Sequence, residues 1–249
     1  MPTHTTLHLF SSGTLELGGV EVPVPFFLIR HPQGDVLVDG GTPLAVARDA
    51  RAHWGELADR FRARMSEREH CVAQLRELGV EAPSVRYLVQ SHLHMDHTGA
   101  LGHFPDAQVI VHARELEAAR AASGSPMAHA YVRADFLREG LAWRTVHEEL
   151  DLFGDGSVRL LQTPGHSAGH MSLLLALERT GPVLLTADAA DNLSQWEGSR
   201  HPRALFSRED AASSLVRLRE LAGATGALVI FGHDPERWAE LTRLRGRYD

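Results

Sequence analysis

The chain has 249 residues, 43% of them hydrophobic, and a formal net charge of −7. That length supports a substantial buried core, and an acidic balance without a long basic run argues against a nucleic-acid partner. The single cysteine, Cys71, excludes an intrachain disulfide, so nothing calls for an oxidising compartment, and no run approaches the ~18 apolar residues of a membrane span.

The N-terminal part reads as strands. Residues 25–29 form an apolar run, His31, Pro32 and Gly34 mark a turn, and 36–38 make a second strand, so a hairpin is expected to end at Asp39, Gly40 and Gly41. The start of the chain lacks the pattern of a secretion signal, which gives a cytoplasmic expectation. Residues 43–65 mix Trp54, Phe61 and Met65 with charges and read as a helical or irregular cover over a site. Ser66 and Glu69 have capping-box spacing. Val72, Leu75 and Leu78 then recur at helical spacing until Gly79. Strands are predicted at 85–89 and 108–111, and a helix at 113–121, where strong helix formers cluster. Further strands are predicted at 158–161, 183–186 and 228–230. Ser207 with Asp210 opens a helix through Leu215, Leu218 and Leu221, with Gly223 beyond its end. No linker or low-complexity tract interrupts this order, so residues 1–249 are expected to form a single domain.

Histidine is abundant, at 16 residues, and its placement follows a pattern. Four times an apolar strand ends and the next loop carries a histidine or an aspartate. These are His92 to His97 after 85–89, His166 after 158–161, Asp188 after 183–186, and His233 after 228–230. Sites in α/β folds gather beyond the carboxyl ends of strands, and rigid strands can bring separate loops to one point. Within His92-x-His94-x-Asp96-His97, alternate imidazoles can aim at one ion while Asp96 and His97 turn to another. Metal sites commonly need three or four such donors, so His166, Asp188 and His233 are the candidate partners.

With those four elements in that order, the sequence resembles the metallo-β-lactamase-fold superfamily. The resemblance implies an α/β fold, an αββα four-layer sandwich of two mixed sheets flanked by helices, and two divalent metal ions, with zinc the default. It assigns His92, His94 and His166 to one metal, Asp96, His97 and His233 to the other, and Asp188 as the bridge. His94 stands where redox members of the superfamily carry glutamate. Cys71 lies away from the position of a cysteine ligand, and His233 is too close to the end of the chain for an appended helical substrate domain.

The resemblance is nearest to N-acyl-homoserine lactone lactonases. It rests on 36–40, 91–99, 163–170, 184–189 and 231–234. It implies a small lactone or ester substrate, ring opening by a metal-bridging hydroxide, no nucleic acid or membrane partner, and a homodimer. An esterase or phosphotriesterase of the same fold is the alternative. Asp96 is the expected proton donor to the leaving alkoxide. One position departs from the family, which carries a tyrosine three residues after the bridging aspartate. Here that residue is Asp191, and Tyr87, Tyr131 and Tyr248 lie elsewhere. A phenol can donate a hydrogen bond to a carbonyl and an ionised carboxylate cannot. Asp191 is therefore a candidate catalytic group if protonated or holding water, and otherwise a solvent-exposed carboxylate. Met95, Phe104 and Trp196 are the expected substrate-binding residues, with Trp54, Phe61, Met65, Phe136 and Trp143 as further apolar candidates. Asp39 and His170 could orient ligands, since a ligating imidazole donates its other N–H to an acceptor.

Overall fold

The computed structural model describes residues 4–125, 129–244 and 246–249. In chain order the first half forms β1 (Thr6–Leu17), β2 (Val20–Arg30), β3 (Asp35–Val38), α1 (Leu44–Trp54), α2 (Leu57–Arg60), β4 (Arg62–Arg64), α3 (Cys71–Glu77), β5 (Val85–Val89), β6 (Gln108–His112), α4 (Ala113–Ala121), α5 (Arg133–Phe136) and β7 (Ala142–Val146). The second half adds β8 (Leu150–Asp151), β9 (Val158–Gln162), β10 (Met171–Leu177), β11 (Gly181–Ala187), α6 (Leu193–Trp196), α7 (Arg208–Thr225), β12 (Leu228–Phe231), α8 (Pro235–Leu244) and β13 (Arg247–Tyr248). One sheet runs β13-β1-β2-β3-β5-β6-β7 with β4 beside β1, and the other β12-β11-β10-β9-β8. Both are mixed: β3, β5, β6 and β7 pair in parallel, as do β11 and β12, within otherwise antiparallel ladders.

Strand periodicity sets the layers. Phe27, Ile29, Val36 and Val38 point inward and meet Leu173 and Leu185 of the other sheet. Their neighbours Phe26, Leu28 and Leu37 point outward onto Cys71 and Leu75 of α3. On the opposite side, Leu218 and Ala222 of α7 cover Leu161, Leu174 and Leu184. The result is the αββα sandwich, in which each fully buried Leu, Phe or Val contributes about 1.5–3 kcal/mol. Burial pushes the Cys71 thiol up to about 12, so it is an inert packing residue at neutral pH.

The expected hairpin is present, with Phe27 opposite Val38 and Ile29 opposite Val36. Three local expectations shift. The Ser66–Glu69 capping box closes a separate 3-10 turn, Glu67–Glu69, and His70 rather than Ser66 precedes α3. Residues 43–65 are helical through α1 and α2 but end in strand β4, paired to β1. Helix α7 passes through Gly223 and stops at Gly226, whose φ of 65° makes the left-handed cap. Among the described residues, no helix is long and apolar enough to cross a membrane.

Helix α1 is tied to α5 by His53, whose Nε2 lies 2.8 Å from Asp135 Oδ1. The hydrogen bond to Asp135 raises the His53 pKa. A raised folded pKa stabilises below the unfolded value of about 6.5, and the contribution fades as pH rises through the folded value. His53→Gln is therefore expected to lower stability at pH 5.5 and to approach the unsubstituted chain at pH 9, as read by urea unfolding at both pH values.

Candidate metal centre

Four strand ends build the site. The loop after β5 carries His92, His94, Asp96 and His97, and the segments after β9, β11 and β12 carry His166, Asp188 and His233. All seven side chains are buried. Their donor atoms form two sets, His92/His94/His166 and Asp96/His97/His233, each within 4.8 Å. Asp188 lies between them. Its Oδ2 is 3.2 Å from His166 Nε2 and 4.0 Å from His92 Nε2. Its Oδ1 is 3.3 Å from both His97 Nε2 and His233 Nε2.

The outer nitrogens fix which way the lone pairs point. Ser91 Oγ donates to Asp39 Oδ2 and therefore accepts from His92 Nδ1 at 3.0 Å. His97 Nδ1 donates to Asp39 Oδ2 at 2.9 Å, His166 Nδ1 to the Arg203 carbonyl at 3.0 Å, and His233 Nδ1 to the Pro23 carbonyl at 2.8 Å. Each Nε2 is thus left as a lone pair facing inward. His92, His97 and His233 Nε2 and Asp188 Oδ1 are buried with no hydrogen-bond partner. Such orphans cost about 1–3 kcal/mol apiece in a dry interior. Lone pairs converging without donors fit divalent cations.

Burial, reinforced by neighbouring imidazoles, holds His92 and His94 well below the usual histidine value, and burial does the same for His166. Neutral imidazole is the ligating form. Burial works against charge on His97 and His233 too, but Asp188 and Asp96 outweigh it and raise both. Asp188 is buried, yet His233, His97, His166 and Arg203 keep its carboxyl well below the carboxylate range.

A cavity of about 560 Å³ opens onto the cluster, with Asp96, His166, Asp188 and His233 at its base. Leu17, Val20, Val22 and Phe61 make an apolar wall, joined by Met95 from the ligand loop. The other two expected substrate residues do not line it. Phe104 turns into the outer core with Ala100, Leu101 and Leu75, and Trp196 packs on Phe231, ring centroids 5.8 Å apart. Trp54, Phe136 and part of Trp143 are core as well. Asp191 lines the cavity but is not solvent-exposed: it is buried, accepts from Gln195 Nε2 at 3.0 Å and pairs with Arg203. Burial raises its pKa, with Arg203 pulling the other way.

A family profile described as the metallo-beta-lactamase superfamily matches residues 19–233. The chain belongs to the metallo-beta-lactamase superfamily. It is 45% identical over 237 residues to the N-acyl homoserine lactonase AttM of Azorhizobium caulinodans, spanning 92% of this chain and 88% of that one. The N-acyl homoserine lactonase of Bacillus cereus is 33% identical across 91% of this chain and 87% of its own. The solved N-acyl homoserine lactone hydrolase with N-hexanoyl-L-homoserine at its catalytic metal center is similar in fold at a TM-score of 0.86 and 30% identity. That match covers 96% of this chain and 97% of the other.

The metallo-beta-lactamase pattern names the inner residues but not what holds them. Asp39 accepts from Ser91 N, Ser91 Oγ and His97 Nδ1. It does so from a left-handed φ of 60°, and Ala187, just before Asp188, has φ 45°. Such strain in non-glycine residues clusters at functional sites. A Cβ at Gly232 would come within 2.6 Å of the Ala187 carbonyl, so only glycine lets His233 approach Asp188. The Asp188 amide donates to His170 Nε2. His170 Nδ1 therefore carries the proton and donates to Thr163 Oγ1 at 2.8 Å.

Glu115 of α4 escaped the sequence reading. Fully buried, it accepts from Leu93 N, Tyr131 Oη, Ser167 Oγ and Gly169 N. It thereby clamps the loop of His92 and His94 to the loop of His166. The available signal was a carboxylate beside Leu116 and Ala119 on the buried face of a helix. Glu115→Ala leaves buried donors without an acceptor and is expected to cost about 2–4 kcal/mol. Denaturant unfolding measures it, and an unchanged midpoint would contradict the clamp.

Proposed function

We propose that this chain opens the lactone ring of N-acyl homoserine lactones, as a dinuclear hydrolase whose metal is zinc. The observation that carries it is Asp188, buried between two donor sets with one carboxylate oxygen toward each. Five imidazoles among seven donors suit zinc better than calcium or magnesium, which favour all-oxygen sites. The lactone comes from the relatives, whose names specify that substrate across most of this chain's length. Divalent cations held here would supply Lewis acidity and an activated water at neutral pH.

The protein's own groups do the rest. His92, His97, His166 and His233 have their outer nitrogens engaged as donors, which leaves the inner nitrogens as lone pairs, that of His166 lying 2.8 Å from His94 Nδ1. None of the described residues donates a hydrogen bond to Asp96. Its Oδ1 and Oδ2 lie 3.8 Å from His97 Nε2 and 3.6 Å from His233 Nε2 respectively. An oxygen not engaged in ligation can pass a proton to the departing ring alkoxide. The apolar wall from Leu17 to Phe61 takes the acyl chain and excludes water from it.

A panel of N-acyl homoserine lactones, aryl esters and phosphotriesters, compared by kcat/KM on zinc-loaded protein, tests this reading. Lactones are expected to lead. If they form the poorest class, the substrate assignment fails and the esterase or phosphotriesterase alternative takes its place. The resemblance to the lactonases also carries a homodimer, for which sedimentation velocity is the measurement.

A further inference from the structure

We propose that Arg203 binds the substrate, donating from its Nη1 end to a carbonyl oxygen of the lactone, and that Asp191 acts through Arg203 as a positioning residue. The inference rests on the lactonase reading and adds a group to it. It starts from Asp191, three residues after Asp188, where the resemblance to the lactonases leads to the expectation of a phenol. The Asp191 carboxylate is already committed, accepting from Gln195 Nε2 at 3.0 Å and lying 3.3 Å from Arg203 Nε. It has no proton to offer a carbonyl while ionised. What it does offer is a fixed anion against which a guanidinium can rest.

Arg203 is held from three directions. Its Nη2 donates to Asp188 Oδ2 at 2.5 Å and lies 3.4 Å from Asp191 Oδ1, and its own carbonyl accepts from His166 Nδ1 at 3.0 Å. Asp191 is fixed in turn, because its amide donates to Gln195 Oε1 at 2.8 Å. Arg203 is thus referenced through its backbone to His166 and through its head to the carboxylate between the two donor sets. None of the described residues accepts a hydrogen bond from Nη1, while the side chain is 30% exposed and lines the cavity with Asp96 and His233. A guanidinium serving only the fold would have its donors met by protein. Here Nη2 is met by Asp188 and Asp191, Nε is ion-paired with Asp191 without a hydrogen bond, and Nη1 has no acceptor among the described residues on a side chain that lines the cavity.

The chemistry suits the place. Guanidinium is always charged and presents planar, directional donors. A donor preset beside a carbonyl stabilises the negative charge that develops on its oxygen, with little reorganisation. Val20 and Phe61 line the same cavity, so under this proposal the oxygen-rich ring of the substrate sits at Arg203 and its acyl chain on the apolar lining. Ring opening yields a carboxylate, which the same donor also binds.

The test uses zinc-loaded Arg203→Ala, Arg203→Lys, Asp191→Asn and the Arg203→Ala/Asp191→Asn double variant. It measures lactone kinetics, binding of the ring-opened hydroxy acid by calorimetry, and metal content. Losing a charged donor to a bound acceptor is expected to raise KM and product Kd together by about tenfold to a hundredfold. Metal content should not change, and lysine should recover part of the loss. Asp191→Asn should weaken both constants in the parent but change nothing further once Arg203 is alanine. Unchanged KM and product Kd in Arg203→Ala overturn the proposal, as does metal loss that accounts for the whole defect. If the unsubstituted protein opens no lactone, the functional reading falls and takes this one with it. If it opens lactones and Arg203→Ala matches it, only the arginine assignment falls.

Discussion

Asp188→Asn is expected to lower bound metal below that of the parent protein and to cut lactone kcat/KM by about a thousandfold or more. The substitution preserves shape but removes the charge and one of two acceptor oxygens. Asp188 Oδ1 faces His97 and His233, and Oδ2 faces His166. Whichever way the new amide turns, its NH2 meets imidazole lone pairs that should meet a cation. A cation is worth several kcal/mol to such a reaction, and each ~1.4 kcal/mol is tenfold in rate. His92→Ala should act in the same direction by leaving one donor set incomplete. Neither change should unfold the chain, because the inter-sheet core of Phe27, Ile29, Leu173 and Leu185 lies outside the substituted positions. Elemental analysis, steady-state kinetics and near-UV circular dichroism on the same preparations decide the matter. Full metal content and turnover in both variants would end the catalytic reading.

The inner donors were legible in sequence because local geometry already constrained them. Alternation within His92-x-His94 and placement directly after an apolar strand are short-range features, and the backbone of β5, β9, β11 and β12 converts them into convergence. Layering was legible for a similar reason, since runs such as 36–38 are apolar on both faces, as strands covered on both sides require. What could not be read depends on contacts between distant segments. Glu115 bonds Ser167 and Gly169 from another element, and no local spacing announces that pairing. Arg203 likewise reaches Asp188 and Asp191 from a loop with no periodicity. Phe104 and Trp196 were expected in the cavity as apolar aromatics, but loop and short-helix positions carry no facing information, and both turned into apolar neighbours. Gly223 was a plausible helix stop. The helix continues because a mid-helix glycine costs only about 1 kcal/mol, while Leu218 and Ala222 bury against the second sheet.

Chelation of the bound cations is expected to lower the melting temperature by roughly 10 °C, while the inter-sheet core keeps its packing. A ligand bound only to the native state stabilises it by about 4 kcal/mol at a thousandfold excess over Kd. For a chain of this length each kcal/mol moves the melting temperature by roughly 2–4 °C. The physical source is visible at the site. Without cations, His92, His97 and His233 Nε2 and Asp188 Oδ1 are buried polar atoms lacking partners. The two best-placed relief routes are water entry and outward movement of the loops. Because Asp39 and Glu115 anchor those loops through backbone amides at Ser91, Leu93 and Gly169, the loosening should stay local. Amide exchange should quicken around residues 92–97, 166, 188 and 233, with β2, β3 and β10 remaining protected. Zinc should restore the melting temperature and magnesium should fall short, since imidazole donors suit the first and not the second. A melting curve indifferent to chelator, or equal rescue by magnesium, would show that these lone pairs are satisfied in some other way.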